Sequence, residues 1–229
     1  MLGRLITLVR RGDRPSAVLL PGAGGGLNPY LRLATHLGET HNVHAVRAAG
    51  LVPGEEPEHT IAEMAESADK ALAEAGVDPA LVFGWSLGGT VGWELCQRLA
   101  GAPDLVVVDS SPLPRVSTAE DDAELREFIV GMLGPRPDPD TADRVRATFD
   151  TQVAALAEYH GTGTHAGRVL VLMCRDDDFR DREAAAARWR ELAPHLVGGT
   201  LAASHYSVFD PAHLPELTAR LDAFLGVRA

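Results

Sequence analysis

Cysteine is scarce in this chain: Cys96 and Cys174 are the only two, and no C-x-x-C spacing is present. A disulfide framework is therefore excluded, and both read as reduced core thiols of a cytoplasmic protein. Cys174 ends a buried apolar stretch and Cys96 falls on a helical pattern. No apolar run approaches the ~18 residues of a membrane span. The first twenty residues carry Arg4, Arg10, Arg11, Asp13 and Arg14, which excludes a secretory signal. Positive charge is in deficit, 21 basic against 32 acidic residues, for a net charge of −11. That argues against nucleic acid and anionic membrane as partners. Lys70 is the one lysine, a bias to which no function attaches.

What remains is ordinary for a globular protein. The 229 residues are 45% hydrophobic and 23% charged, so disordered and fibrous classes are excluded. A single domain of this length buries roughly 70–75% of its unfolded surface and needs no metal or disulfide staple.

Seven short apolar runs recur along the chain: Leu5–Val9, Ala17–Leu20, Val43–Val46, Leu81–Phe83, Leu105–Val108, Val169–Met173 and a weaker Thr200–Ala203. Several lack polar alternation, as strands of a parallel sheet covered on both faces require. Helical patterns lie between them. Thr60-Ile61-Ala62-Glu63 fits a capping box, and Ile61, Met64, Ala65, Ala68, Leu72 and Ala75 follow on one face, with Gly76 as a left-handed stop. Leu87, Val91, Leu95 and Leu99 mark a second helix, and Pro215 to Leu225 a closing one. The alternation predicts an α/β layer fold with a mostly parallel central sheet and helices on both faces.

Residues 115–165 break the rhythm. Leu125, Phe128, Ile129, Met132 and Leu133 share one helical face, a proline-rich turn spans Gly134 to Pro139, and Val145, Phe149, Val153 and Leu156 line a second helix. Two consecutive helices between strands predict an inserted helical cap on a single domain covering 1–229.

The sharpest motif is Gly84-Trp85-Ser86-Leu87-Gly88. It follows an apolar run and opens a helix, the context of a nucleophile elbow. The elbow raises a serine hydroxyl above the sheet, and the helix N-terminus behind it presents free amides to a developing oxyanion. A second donor is expected from Pro21-Gly22-Ala23-Gly24-Gly25-Gly26, most plausibly the Ala23 amide beside that of Leu87. This loop has no lysine for a phosphate-binding loop, and Leu27 stands where a dinucleotide fingerprint needs glycine.

In such a fold the order is serine, acid, histidine. His205 follows the last strand and precedes the closing helix, where the base belongs. His41-x-x-His44 lacks a third metal ligand and reads as surface, so no metal is expected. Two positions compete for the acid. Asp109 ends the run Leu105–Val108, and Asp176, Asp177 and Asp178 end the next run. The charged triplet reads as a solvated turn; a lone aspartate after four apolar residues reads as functional, and Asp109 is favoured.

Together, Leu19-Leu20-Pro21-Gly22-Ala23-Gly24-Gly25, Val46–Leu51 leading to Thr60, Phe83–Gly89, Val106–Asp109 and Ser204-His205 resemble the thioesterases of nonribosomal peptide and polyketide synthases, in the α/β-hydrolase superfamily. The Gly-Trp-Ser elbow and the place of Asp109 look like the terminal, product-releasing type. The separate editing type commonly places its acid after the later strand, here Asp176–Asp178. The resemblance implies that Ser86 takes an acyl, peptidyl or polyketide chain from the phosphopantetheine thioester of a carrier protein. His205 would serve as base, Asp109 as its orienter, and the Ala23 and Leu87 amides as the oxyanion hole. It implies a cap lining an acyl channel, with Trp85, Phe128, Met132 and Phe149 as substrate-binding residues. It implies no cofactor beyond the carrier's own phosphopantetheine, and a carrier protein or synthase module as partner. With no carrier domain after Met1, action in trans is the expectation. Hydrolysis, cyclisation and editing remain open, as do a small-molecule esterase or lactonase and a non-catalytic acyl-binding protein.

Overall fold

A computed structural model describes residues 3–175 and 182–227. The alternative acids Asp176, Asp177 and Asp178 lie outside the described residues. Seven strands form one sheet: β1 (Leu5–Val9), β2 (Ser16–Leu20), β3 (Asn42–Val46), β4 (Pro79–Trp85), β5 (Asp104–Val108), β6 (Val169–Cys174) and β7 (Val197–Leu201). Their order is β1-β3-β2-β4-β5-β6-β7, with β1 antiparallel to β3 and every other pairing parallel. All seven apolar runs are strands. The weakest, placed at Thr200–Ala203, lies three residues earlier, because Val197 to Leu201 pair with β6 and the chain then leaves the sheet.

The helices are α1 (Leu31–Leu37), α2 (Ile61–Ala75), α3 (Leu87–Cys96), α4 (Ala119–Gly131), α5 (Pro139–Glu158), α6 (Arg182–Leu192) and α7 (Leu214–Leu225). Side chains alternate across each strand. Val18, Leu20, Leu105 and Val107 therefore join α2, α3 and α6 in one core, while Ala17, Leu19, Val106 and Val108 join α1 and α7 in the other. Each buried Val or Leu stabilises the fold by roughly 1.5–3 kcal/mol. Two-sided burial is what removes polar alternation from the strand sequences.

Local signals also fix the helix ends. The Thr60–Glu63 capping box forms in both directions, and Gly76 closes α2 at φ 64°. The α3 helix stops at Cys96, short of Leu99, where the Arg98 amide donates to the Leu95 carbonyl in a tighter i→i−3 bond. His41 and His44 are buried rather than exposed; His44 lies on β3, which is flanked by β1 and β2. His44 Nδ1 lies 3.1 Å from Thr7 Oγ1 on the neighbouring strand. Burial holds both imidazoles below the ordinary histidine range.

The α4 and α5 helices stand between β5 and β6. The α4 helix begins at Ala119, six residues before Leu125, the first position of the predicted stripe, because Thr118 and Asp121 form a second capping box. The pair is joined at its surface by Arg126–Asp150 and Arg146–Glu127. These pairs are exposed to solvent and contribute little to stability.

The order in which strands are added reverses at β2. The connection after β2 leads to β3 on one side, and the chain then returns to β4 on the other. Crevices at such reversal points, outside the carboxyl ends of the strands, are where open α/β sheets bind ligands.

Candidate active site

Ser86 stands at that point, between the end of β4 and the start of α3. Its φ of 56° and ψ of −127° lie outside the regions an L-residue favours, a strain of roughly 1–3 kcal/mol. The surroundings impose it. The Ser86 amide donates to the Val108 carbonyl at 3.0 Å, and the Gly89 amide donates to the Ser86 carbonyl at 2.9 Å. A Cβ at Gly84 would sit 2.0 Å from the Gly88 carbonyl oxygen, and one at Gly88 2.1 Å from that of Leu20. Glycine at both positions lets strand and helix approach closely enough for the turn.

Asp109 ends the adjacent strand, also at positive φ (46°) and 1% exposed. Its two carboxyl oxygens have separate partners. Oδ1 accepts from the Cys174 amide at 2.8 Å. Oδ2 lies 2.7 Å from His205 Nδ1, and His205 Nε2 lies 3.0 Å from Ser86 Oγ. A carboxylate only accepts, so Nδ1 carries the proton and Nε2 is left to accept from the serine hydroxyl.

The histidine is held from behind. The Trp85 indole N–H donates to the His205 carbonyl at 3.1 Å, and the two ring centroids are 4.8 Å apart. Tyr206 meets the imidazole edge-on at 4.8 Å, and Phe128 meets Tyr206 at 4.9 Å.

The glycine loop after β2 packs against the elbow. A Cβ at Gly22 would lie 2.6 Å from the Trp85 ring. Ala23 and Leu87 both border the space in front of Ser86. The Leu87 amide, first in α3, has no intrahelical acceptor.

In front of Ser86 opens a cavity of about 550 Å³. One wall is the Asp109–Val116 segment; another is the inward face of α4 and α5, with Leu125, Ile129, Phe149, Val153 and Leu156. Its surface is mostly apolar, and Arg115, Ser117 and Asp121 add a polar edge.

Residues 16–224 match the thioesterase domain family. The chain belongs to that family. It is thus a thioesterase domain, a hydrolase acting on thioesters. Over 142 residues it is 30% identical to a dimodular nonribosomal peptide synthase of Bacillus subtilis (strain 168), covering 58% of this chain and 6% of the synthase. Over 96 residues it is 32% identical to the nonribosomal peptide synthetase btyA of Aspergillus terreus (strain NIH 2624 / FGSC A1156), covering 42% of this chain and 10% of the synthetase. The chain thus spans a small fraction of these curated relatives. Among solved structures it is similar to the NocB thioesterase domain in covalent complex with a fluorophosphonate nocardicin G analog. That likeness has a TM-score of 0.76 and 25% identity, over 97% of this chain and 99% of the other. The Vlm2 thioesterase domain bound with a dodecadepsipeptide shares the fold at a TM-score of 0.76 and 22% identity, over 96% and 97% of the two chains.

In this thioesterase domain Ser86, Asp109 and His205 come together, with Ala23 and Leu87 beside them. Trp85 and Phe149 line the cavity, but Phe128 and Met132 do not, and this corrects the expectation for those two. Both are half exposed. The predicted stripe does not stay on one helical face: Leu125 and Ile129 turn to the cavity, Phe128 packs on Tyr206, and Met132 and Leu133 lie past the end of α4. Sequence reasoning missed Gln152 on α5, 4% exposed, whose Oε1 accepts from the Gly24 amide at 2.8 Å. No local signal marked it, since Thr148, Asp150 and Thr151 close by are also polar. It also missed that Trp85 holds His205, a contact across 120 positions that no local pattern encodes. Among the described residues no cluster of three His, Cys, Asp or Glu could hold a metal. No described helix is long and apolar enough to cross a membrane.

Proposed function

We propose that this thioesterase domain releases an acyl or peptidyl chain from the phosphopantetheine thioester of a carrier protein, through an ester on Ser86. The observation that carries this reading is the unbroken relay from Asp109 to His205 to Ser86, at 2.7 and 3.0 Å, opening on an apolar cavity. Similarity to nonribosomal peptide synthetases supports a carrier-bound chain as substrate. In the same reading residues 115–165 are a cap on a single domain, and the carrier protein or synthase module is the partner. No cofactor takes part beyond the carrier's phosphopantetheine, which arrives with the substrate.

Ser86 Oγ attacks the thioester carbonyl while its proton passes to His205 Nε2. Asp109 holds Nδ1–H and stabilises the imidazolium. The carbonyl oxygen becomes an oxyanion facing the Ala23 and Leu87 amides. The C–S bond breaks, and the pantetheine sulfur takes the proton from Nε2. The acyl group is now an ester on Ser86. Water, or an amine or hydroxyl of the chain itself, then attacks that ester and gives its proton to His205. The C–O bond breaks and Ser86 regains its proton. Water yields an acid; an internal nucleophile yields a ring.

Intact-protein mass over time with an acyl-pantetheine thioester, wild type beside Ser86→Ala, tests the reading. The expected result is a transient acyl adduct on wild type alone. Turnover of an oxygen ester without any turnover of the thioester would overturn it.

A further inference from the structure

The bond from the Gly24 amide to Gln152 Oε1 joins residues 128 positions apart, one in the glycine loop and one in α5. It falls at a place where the backbone has a choice. The Gly25 amide donates to the Gly22 carbonyl at 3.0 Å, which closes a four-residue turn around Ala23 and Gly24. The Gly24 φ of 82° is that of the third residue in a type II turn. Types I and II differ mainly by a flip of the central peptide plane, here the Ala23–Gly24 peptide. Accepting from the Gly24 N–H, Gln152 selects one of the two.

The rest of the loop's setting is steric. A Cβ at Gly24 would lie 2.5 Å from Ile129 Cγ2 of α4, and one at Gly25 2.7 Å from Ala48 Cβ. Those walls restrict the loop, but only a directional contact fixes a peptide plane. Gln152 is buried beside Phe149 and Val153, where an amide without a partner costs about 1–3 kcal/mol. Its neighbours Phe149 and Val153 line the cavity. One turn of α5 therefore both touches the space for the acyl chain and holds the loop.

We infer that Gln152 is a positioning residue for the oxyanion hole. Its Oε1 anchors the Gly24 N–H and so holds the Gly22–Gly25 turn in place, and that turn carries the Ala23 amide, in the preceding peptide, toward the oxyanion opposite Leu87. The inserted helix is then part of the catalytic apparatus as well as a wall of the cavity. This rests on the acyl-transfer reading above.

The test uses Gln152→Met, which keeps the bulk, and Gln152→Ala, which keeps helix propensity; both remove the acceptor. Active sites are counted by stoichiometric labelling of Ser86 with a fluorophosphonate. The labelling rate is measured, and then kcat and KM for an acyl-pantetheine thioester. Loss of one oxyanion donor costs roughly 10²–10³ in kcat. A displaced donor is expected to lower kcat per labelled site about 10–100-fold, with KM within twofold and labelling slowed in parallel. A merely structural role would lower the melting temperature or the number of labelled sites and leave kcat per site unchanged. That result, or a change confined to KM, overturns the inference. If wild type is labelled at Ser86 but turns over no thioester, the acyl-transfer reading fails. The labelling rates of the variants then still decide the role of Gln152.

Discussion

Trp85 grips His205 in two ways at once: its indole N–H donates to the histidine carbonyl at 3.1 Å, and its ring lies 4.8 Å from the imidazole. The residue before the nucleophile thereby carries the loop that presents the base. Trp85→Phe keeps the ring contact and removes the donor. A net hydrogen bond of about 0.5–1.5 kcal/mol is lost. Steady-state kinetics are expected to show kcat reduced roughly 2–10-fold with KM little changed.

Asp109→Asn retains an oxygen for the Cys174 amide but offers His205 the wrong tautomer. In comparable relays this costs about 10⁴ in kcat. A fall of at least about 10³-fold is expected, with an unchanged unfolding midpoint. Asp177→Asn is expected to keep near-normal turnover. If turnover survives in Asp109→Asn and collapses in Asp177→Asn, the acid is the later one.

Gly88→Ala forces a methyl group to 2.1 Å from the Leu20 carbonyl oxygen, a backbone atom that cannot swing away. Overpacking of this kind costs about 1–3 kcal/mol or more. Urea unfolding should show a loss of at least that size. Fluorophosphonate labelling of Ser86 should slow in whatever protein remains folded.

Val153→Phe fills part of the cavity beside Phe149 and leaves the relay untouched. Acyl-pantetheine thioesters of increasing chain length are expected to separate the effects. Short chains should keep their kcat/KM, while long chains lose roughly tenfold or more, a change of about 1.4 kcal/mol.

His41 and His44 make stability depend on pH. Both resist protonation in the fold because burial disfavours the charged imidazole, while the unfolded chain takes up protons near its ordinary value of ~6.5. Stability from these sites is complete above that value and falls as pH drops through it toward the lower folded values. The unfolding midpoint should drop between pH 7.5 and 5.5. The drop should be smaller in a His41→Gln, His44→Gln double variant than in wild type.

The sheet was legible because two-sided burial writes itself into sequence as unbroken apolar runs, seen in Leu105–Val108 and Val169–Met173. Ser86 was legible because its elbow needs glycines at fixed short spacing. Asp109 was only half legible. Two successive apolar runs are each followed by aspartate in the sequence, and a linear reading cannot say which carboxylate meets His205; in the folded chain Asp109 lies 2.7 Å from its ring. Phe128 and Met132 misled because offsets of three and four describe a stripe wide enough to serve three neighbours: the cavity, Tyr206 and solvent. Gln152 was invisible because its meaning lies in a glycine amide far away in the chain.

Trp85 pairs with Val108 in the parallel ladder, so Ser86 and Asp109 leave the sheet from the same rung. Neighbouring strands stand about 4.8 Å apart, and backbone hydrogen bonds alone set that spacing. The distance between these two residues is therefore indifferent to most side-chain replacement. The walls of the cavity come largely from the separate stretch between β5 and β6. Apart from the link through Gln152, reactivity and selectivity are written in different parts of the chain, and one can drift while the other stands still.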